Sequence, residues 1–268
     1  GENVNKLSTK GLERLKDPDM PGLMSEEAEK LINLGNTRDH FHELEDCDWV
    51  AEAVVERLDI KQALYQRLNN TCKESTIITS NTSTIPIKLL TEGMSSEFCE
   101  RFAITHFFNP VRFMRLLELV RGELTRDDVI ATLDQFSEIS LGKGVVSCSD
   151  TPGFLANRVG VFAIQCALHN AFDLKLSPTE ADAFFGRPLG LPKTGVFGLY
   201  DLIGIDLMAD VVKSLVGILP KNDAFHKYSS PIGFMTNMIA NGQTGNKNDK
   251  GFYKQDGDER KVINLSNG

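Results

Sequence analysis

His106 closes an apolar run, Phe102-Ala103-Ile104-Thr105, and Glu118 stands inside another, Leu116-Leu117-Glu118-Leu119-Val120. An ionised carboxylate is costly to bury unless it is paired, so a glutamate in such a strand calls for a partner. If the chain turns at Asn109-Pro110, the returning strand lies beside the one that ends in His106. The twelve-residue separation then sets Glu118 against the imidazole. A carboxylate on one ring nitrogen fixes the tautomer and raises the basicity of the other, as a general base requires. Each residue also has an ordinary alternative: His106 as a hydrogen-bonded core residue, Glu118 as a structural salt bridge to Arg112 or Arg115.

Further polar groups fall at the ends of apolar runs. Ser80-Asn81-Thr82-Ser83 follows Thr76-Ile77-Ile78-Thr79, and Glu56 follows Ala53-Val54-Val55. Ligands of open sheets bind at the carboxyl ends of the strands, where residues far apart in sequence converge. Ser83 and Asn81 also suit helix capping. Asn157, just inside a long helix after Thr151-Pro152-Gly153-Phe154, suits a local cap or a contact between domains. Lys61 ordinarily reads as a solvated helix charge. His40 and His42 lie close together on a polar stretch, and the cysteines (Cys47, Cys72, Cys99, Cys148, Cys166) form no Cys-x-x-Cys pair. No metal site is expected, and reduced thiols of a cytoplasmic protein are the reading of such spacing.

The elements that must carry these residues alternate. Leu7 to Leu34 reads as helix broken at Asp17-Pro18-Asp19 and Pro21-Gly22, with a last short helix from Glu26. Strands are expected at Trp49–Val55, Ser75–Ser80, Phe102–Thr105, Arg115–Val120 and Gly144–Cys148. Helices are expected at Asp59–Thr71, Ile85–Met94 and Asp127–Leu141. Such alternation marks a doubly wound, mostly parallel α/β sheet of Rossmann-like type. The connection from His106 to Arg115 has no room for a crossover helix, so the strand after it is expected antiparallel. Past Asp150 the character changes to long helices: Asn157–Asp173, Pro178–Phe185 and Ile203–Leu219. Two domains follow, an incomplete sheet domain over 1–150 and an all-helical one over 151–268, the latter ending in a hairpin around Asp256-Gly257.

The 268 residues, 41% hydrophobic and 25% charged, are those of a globular protein. A net charge of -8 argues against nucleic-acid binding, which needs a basic surface. No apolar run approaches the roughly 18 residues of a membrane span, and Gly1 to Lys10 is polar, unlike a secretory signal.

Taken in order, Glu52-Ala53-Val54-Val55-Glu56, Ser80-Asn81-Thr82-Ser83, His106-Phe107-Phe108-Asn109-Pro110, Leu117-Glu118 and Asp150-Thr151-Pro152-Gly153-Phe154 with Asn157-Arg158 resemble the L-3-hydroxyacyl-CoA dehydrogenase family of fatty-acid β-oxidation. Asp201-Leu202-Ile203-Gly204-Ile205-Asp206 and Lys250-Gly251-Phe252-Tyr253-Lys254 are similar to the dehydrogenase part of long bacterial multifunctional fatty-acid oxidation enzymes. The resemblance implies NAD as cofactor and an acyl-CoA, oxidised from 3-hydroxy to 3-oxo, as substrate. It implies His106 and Glu118 as the catalytic dyad, with Ser83 and Asn157 holding the substrate oxygen. Glu56, Lys61, Asn81 and Ser83 would lie along the NAD. It leaves room for a homodimer through the helical domain and for a hydratase region fused to this chain.

Two departures stand out: Gly195-Val196-Phe197-Gly198 replaces the Gly-Pro-Phe-Glu of the short enzymes, and Arg112 and Phe113 replace smaller residues. Rival readings are a dehydrogenase of small free hydroxy acids, which would use a lysine of the helical domain, and a non-catalytic relative. Nothing in Gly1 to Leu34 has the strand, Gly-x-Gly-x-x-Gly turn and helix that open a dinucleotide fold. The expectation is a chain truncated at its amino end, without the phosphate-binding loop. This polypeptide alone should then bind NAD weakly, and calorimetry returning a tight complex would overturn that.

Overall fold

The computed structural model describes residues 4–191 and 193–265. The chain divides into two compact units, the first ending at Phe154 and the second starting at Leu155.

In the first unit five strands form one sheet: β1 (Trp49–Glu52), β2 (Ile77–Ser80), β3 (Phe102–Phe107), β4 (Leu116–Arg121) and β5 (Gly144–Cys148). They lie side by side in chain order. Every pairing is parallel except that of β3 with β4. The short connection after β3 thus imposes the antiparallel return that the sequence leads one to expect. Ahead of β1 come α1 (Lys6–Leu15) and two short 3-10 stretches, Glu26–Leu31 and Phe41–Asp46. The proline and glycine breaks fall between α1 and the first of these.

Alternation along the strands sorts side chains to two faces. Phe102, Ile104 and Val120 pack with Ile78 on one face. There α2 (Leu58–Thr71), α3 (Ile87–Leu90) and α4 (Ser96–Glu100) supply Tyr65, Leu68, Ile87, Leu90 and Phe98. Ala103 and Leu119 face the other way, against Val129 and Leu133 of α5 (Asp127–Ile139). Three rings anchor the first layer: Tyr65 and Phe98 lie 5.1 Å and 5.5 Å from Phe102 between centroids. Such aromatic contacts add to the area they bury.

Two elements are shorter than the sequence suggests, each for a local reason. The strand expected to run to Val55 ends at Glu52, whose carboxylate accepts the Val54 N–H at 2.6 Å and turns the chain. The helix expected over Ile85–Met94 is a single turn after Pro86, and its first N–H, Ile87, is capped at 2.9 Å by Asp150. Neither Ser83 nor Asn81 caps it.

The second unit is helical: α6 (Ala156–Asp173), α7 (Pro178–Phe184), α8 (Phe197–Ile203), α9 (Ile205–Ile218) and α10 (Gly233–Ala240), closed by the hairpin β6 (Tyr253–Asp256) and β7 (Glu259–Val262). Helices α8 and α10 were not foreseen. The helix expected from Ile203 is two, parted at Gly204, whose φ of 111° only glycine adopts readily. Asp201 ties the hairpin down by accepting the N–H groups of Phe252 and Tyr253, each at 2.8 Å. Among the described residues no helix is long and apolar enough to cross a membrane.

Phe102 has no exposed surface and joins sheet to helices. Phe102→Ala should destabilise the first unit by about 3–5 kcal/mol, the range for truncating a buried ring, as read by urea denaturation. A loss under about 1 kcal/mol would show that this cluster is not the keystone of the layer.

Candidate active site

His106 and Glu118 stand directly opposite each other in the β3–β4 ladder, and opposite residues share one face of the sheet. Imidazole Nδ1 lies 2.7 Å from Glu118 Oε2. The carboxylate is wholly buried and the ring nearly so. An ionised carboxylate can only accept, which assigns the proton to Nδ1 and leaves a lone pair on Nε2. Ser83 Oγ lies 3.0 Å from that Nε2 and donates to it. Glu118 Oε1 has Cys148 Sγ of β5 at 3.7 Å. Arg112, one of the two alternative ionic partners read from the sequence, instead donates to the carbonyls of Pro21 and Leu23.

Aromatic rings frame the imidazole: Phe108 edge-on at 4.6 Å and Phe154 at 5.7 Å. Phe154 follows Gly153, and both have positive φ, 47° and 73°. That region is unusual for a bulky residue, and the turn it makes brings the Phe154 ring back over the mouth of the sheet.

The loop after β2 is organised by side chains. Asn81 Oδ1 accepts the Phe107 N–H at 2.9 Å, tying the end of β2 to the end of β3 beside His106. Glu56 Oε1 accepts from Ser83 N at 3.1 Å, Thr84 N at 3.3 Å, Thr84 Oγ1 at 3.2 Å and the Thr82 hydroxyl. Glu56 therefore holds the very loop that presents Ser83.

Lys61 is not a solvated helix charge. It is 1% exposed, and its ammonium lies 2.7 Å from Glu52 Oε1 and 3.4 Å from Glu56 Oε2. Glu52 in turn accepts from Tyr65 OH at 2.6 Å and Ser80 Oγ at 2.7 Å. In the sequence Glu52 stands out only as part of the run Glu52-Ala53-Val54-Val55-Glu56. A signal was present: Lys61, Tyr65 and Leu68 recur at helical spacing, so the lysine shares the apolar face of α2. Asn157 lies in the first turn of α6, in the second unit.

The chain has relatives in sequence and in fold. Residues 2–151 match the family model described as 3-hydroxyacyl-CoA dehydrogenase, NAD binding domain, and residues 153–255 match its C-terminal domain. The chain belongs to the 3-hydroxyacyl-CoA dehydrogenase family. It is 42% identical over 94% of its length to a putative fatty acid oxidation complex trifunctional enzyme of Rickettsia felis. It is 38% identical over 96% of its length, and 73% of the relative, to a probable 3-hydroxyacyl-CoA dehydrogenase of Deinococcus radiodurans. Of the Rickettsia felis protein and its Rickettsia prowazekii counterpart, this family member spans only 35% and 37%. Among solved structures it superposes on M. tuberculosis FadB2 with a TM-score of 0.77 and 29% identity, covering 94% of this chain and 85% of that one. On the (S)-3-hydroxybutyryl-CoA dehydrogenase PaaH1 of Ralstonia eutropha the TM-score is 0.74 at 31% identity, covering 92% and 85%.

Burial alone would push the Glu52 carboxyl up, but hydrogen bonds from Lys61, Tyr65 and Ser80 together outweigh it and leave the group below its ordinary value. Its folded pKa is then below its unfolded one. The stability it lends is complete above the usual glutamate value of about 4.3 and is lost as pH falls through the folded value. The stability gap between wild type and Glu52→Gln, read by urea denaturation, should therefore narrow from about pH 7 to about pH 3. A gap independent of pH would refute the ionised pair.

Proposed function

We propose that this chain carries the NAD-dependent oxidation of L-3-hydroxyacyl-CoA to 3-oxoacyl-CoA, a step of fatty-acid β-oxidation, with His106 as general base. The observation that carries the reading is the line Glu118–His106–Ser83, joined at 2.7 Å and 3.0 Å. It fixes a basic Nε2 beside a hydroxyl at the carboxyl end of the sheet, where ligands of such folds bind.

The residues around that edge fit the cofactor. Val55 is an exposed apolar residue beside Glu56, whose carboxylate is partly exposed, and the hydroxyls of Thr82, Ser83 and Thr84 follow. This is the mixed apolar and hydrogen-bonding surface that a nicotinamide riboside requires. Glu56, Asn81 and Ser83 would hold it, with Lys61 behind Glu56. When bound, NAD supplies the acceptor for the hydride leaving C3 of the substrate.

The chain's own groups do the rest. His106 Nε2 takes the proton of the C3 hydroxyl, displacing the donor bond from Ser83. Glu118 stabilises the imidazolium so formed, at no cost in reorganisation because it is already in place. Ser83 Oγ, freed from the ring, donates to the substrate oxygen. Asn157 is assigned by the family resemblance to the same oxygen. Positioning supplies much of the rate. The 3-oxoacyl product suits a following thiolytic step. A hydratase region fused to this chain belongs to the same proposal, supported by relatives named as trifunctional enzymes; a homodimer through the helical unit rests on the family resemblance alone.

In the protein that carries this chain, 3-hydroxybutyryl-CoA should be oxidised with formation of NADH, and free 3-hydroxybutyrate should not. His106→Gln should lower kcat by at least ~10²-fold, the lower range for general acid–base catalysis. An unchanged kcat, or equal turnover of the free acid, would sink the reading.

A further inference from the structure

Behind the Ser83 loop lies a buried ion pair, Glu52 and Lys61, to which the proposed chemistry gives no direct task. Glu52, on β1, stands opposite Ser80 in the β1–β2 ladder, and both oxygens of its buried carboxylate are taken. Oε1 accepts from Val54 N at 2.6 Å and Lys61 Nζ at 2.7 Å; Oε2 accepts from Tyr65 OH at 2.6 Å, Ser80 Oγ at 2.7 Å and Lys61 Nζ at 3.0 Å. Lys61 passes the linkage on. Its ammonium is held by Glu52, the Val54 carbonyl at 3.4 Å and Glu56 Oε2 at 3.4 Å, on a side chain that is 1% exposed.

The consequence follows from what each group can do. Glu56 is 40% exposed, and on its own such a carboxylate would turn freely in solvent. Lys61 pins one of its oxygens, which turns the other toward the amides of Ser83 and Thr84. Those two amides fix the backbone from which Ser83 Oγ reaches His106 Nε2. Relative to an apolar pair of the same shape a buried ion pair adds little net stability, so the reason for having one here is better sought in geometry.

We propose that Glu52 and Lys61 are positioning residues: acting through Glu56, they fix the 82–84 loop so that Ser83 Oγ meets His106 Nε2. This rests on reading His106 and Ser83 as the reacting pair.

The test is a double-mutant cycle. Lys61→Met and Glu52→Gln should each lower kcat about 10- to 100-fold, the scale of a misplacement near 1 Å, while KM for NAD moves less than about threefold. In a Ser83→Ala background the same substitutions should cost less than about twofold further. Additive losses would mean a merely structural role and overturn the proposal. A raised KM for NAD at constant kcat would do so too, by making Lys61 a cofactor contact. If Lys61→Met does not fold, the isosteric Glu52→Gln carries the same cycle by itself. A second readout needs no substrate: amide exchange at Ser83 and Thr84 should quicken in Glu52→Gln while Leu117 and Leu119 stay protected. Unchanged exchange refutes the relay. A wild-type protein inactive on 3-hydroxyacyl-CoA would instead remove the functional reading and leave the exchange result to decide the relay.

Discussion

Glu118 is a carboxyl group with no exposed surface, and the mouth of the sheet is arranged around that fact. A carboxylate sealed in protein is destabilised by several kcal/mol unless donors reach it. Here one donor is the imidazole directly across the ladder, and Cys148 Sγ faces the other oxygen. The pairing orders more than two side chains. It holds the ring in one tautomer, directs its lone pair to the strand ends and leaves the Phe108 and Phe154 rings to close over its sides. The cost of hiding a charge is thereby turned into orientation.

The other buried carboxylate, Glu52, uses the same device three strands away. Both glutamates lie in strands on the face of the sheet that carries Tyr65, Phe98 and Phe102, and both are satisfied by groups from neighbouring elements. One acts on the ring itself and the other, through lysine, on the loop that meets the ring. Between them they constrain the two partners of the Ser83–His106 hydrogen bond from opposite sides. An open loop at a strand end would ordinarily be among the more mobile parts of a domain. The carboxylate of Glu56 and the side chain of Asn81 make this one part of the framework.

Much of this was legible in the sequence, unevenly. The antiparallel β4 followed from the length of one connection, and the His106–Glu118 pair followed from that reversal plus the chemistry of burying an acid. Local physics sufficed for both. Glu56 and Lys61 were recognisable as belonging to the site only through resemblance, and their contacts were not readable. What Glu56 does depends on where a loop 27 residues away presents its amides, which spacing does not encode. Lys61 could have been assigned to the core from its phase with Tyr65 and Leu68, yet a lysine reads as solvated until its partner is known. Helices α8 and α10 escaped because their apolar residues are interleaved with glycine and asparagine, and Gly204 cuts what looks like one helix.

The ladder has a bearing on how this region can vary. His106 meets Glu118 only in one register: a slip of one residue offers the ring Leu117 or Leu119 from the opposite face, and a slip of two offers Leu116 or Val120, neither of which can accept a proton. The span between β3 and β4, residues 108–115, is clamped at its far side by Lys143, which donates to the carbonyls of Val111 and Met114. Insertions and deletions across this hairpin are therefore admissible only in the arc outside those clamps. Within them a change in the number of residues would disturb the clamp whatever their identity.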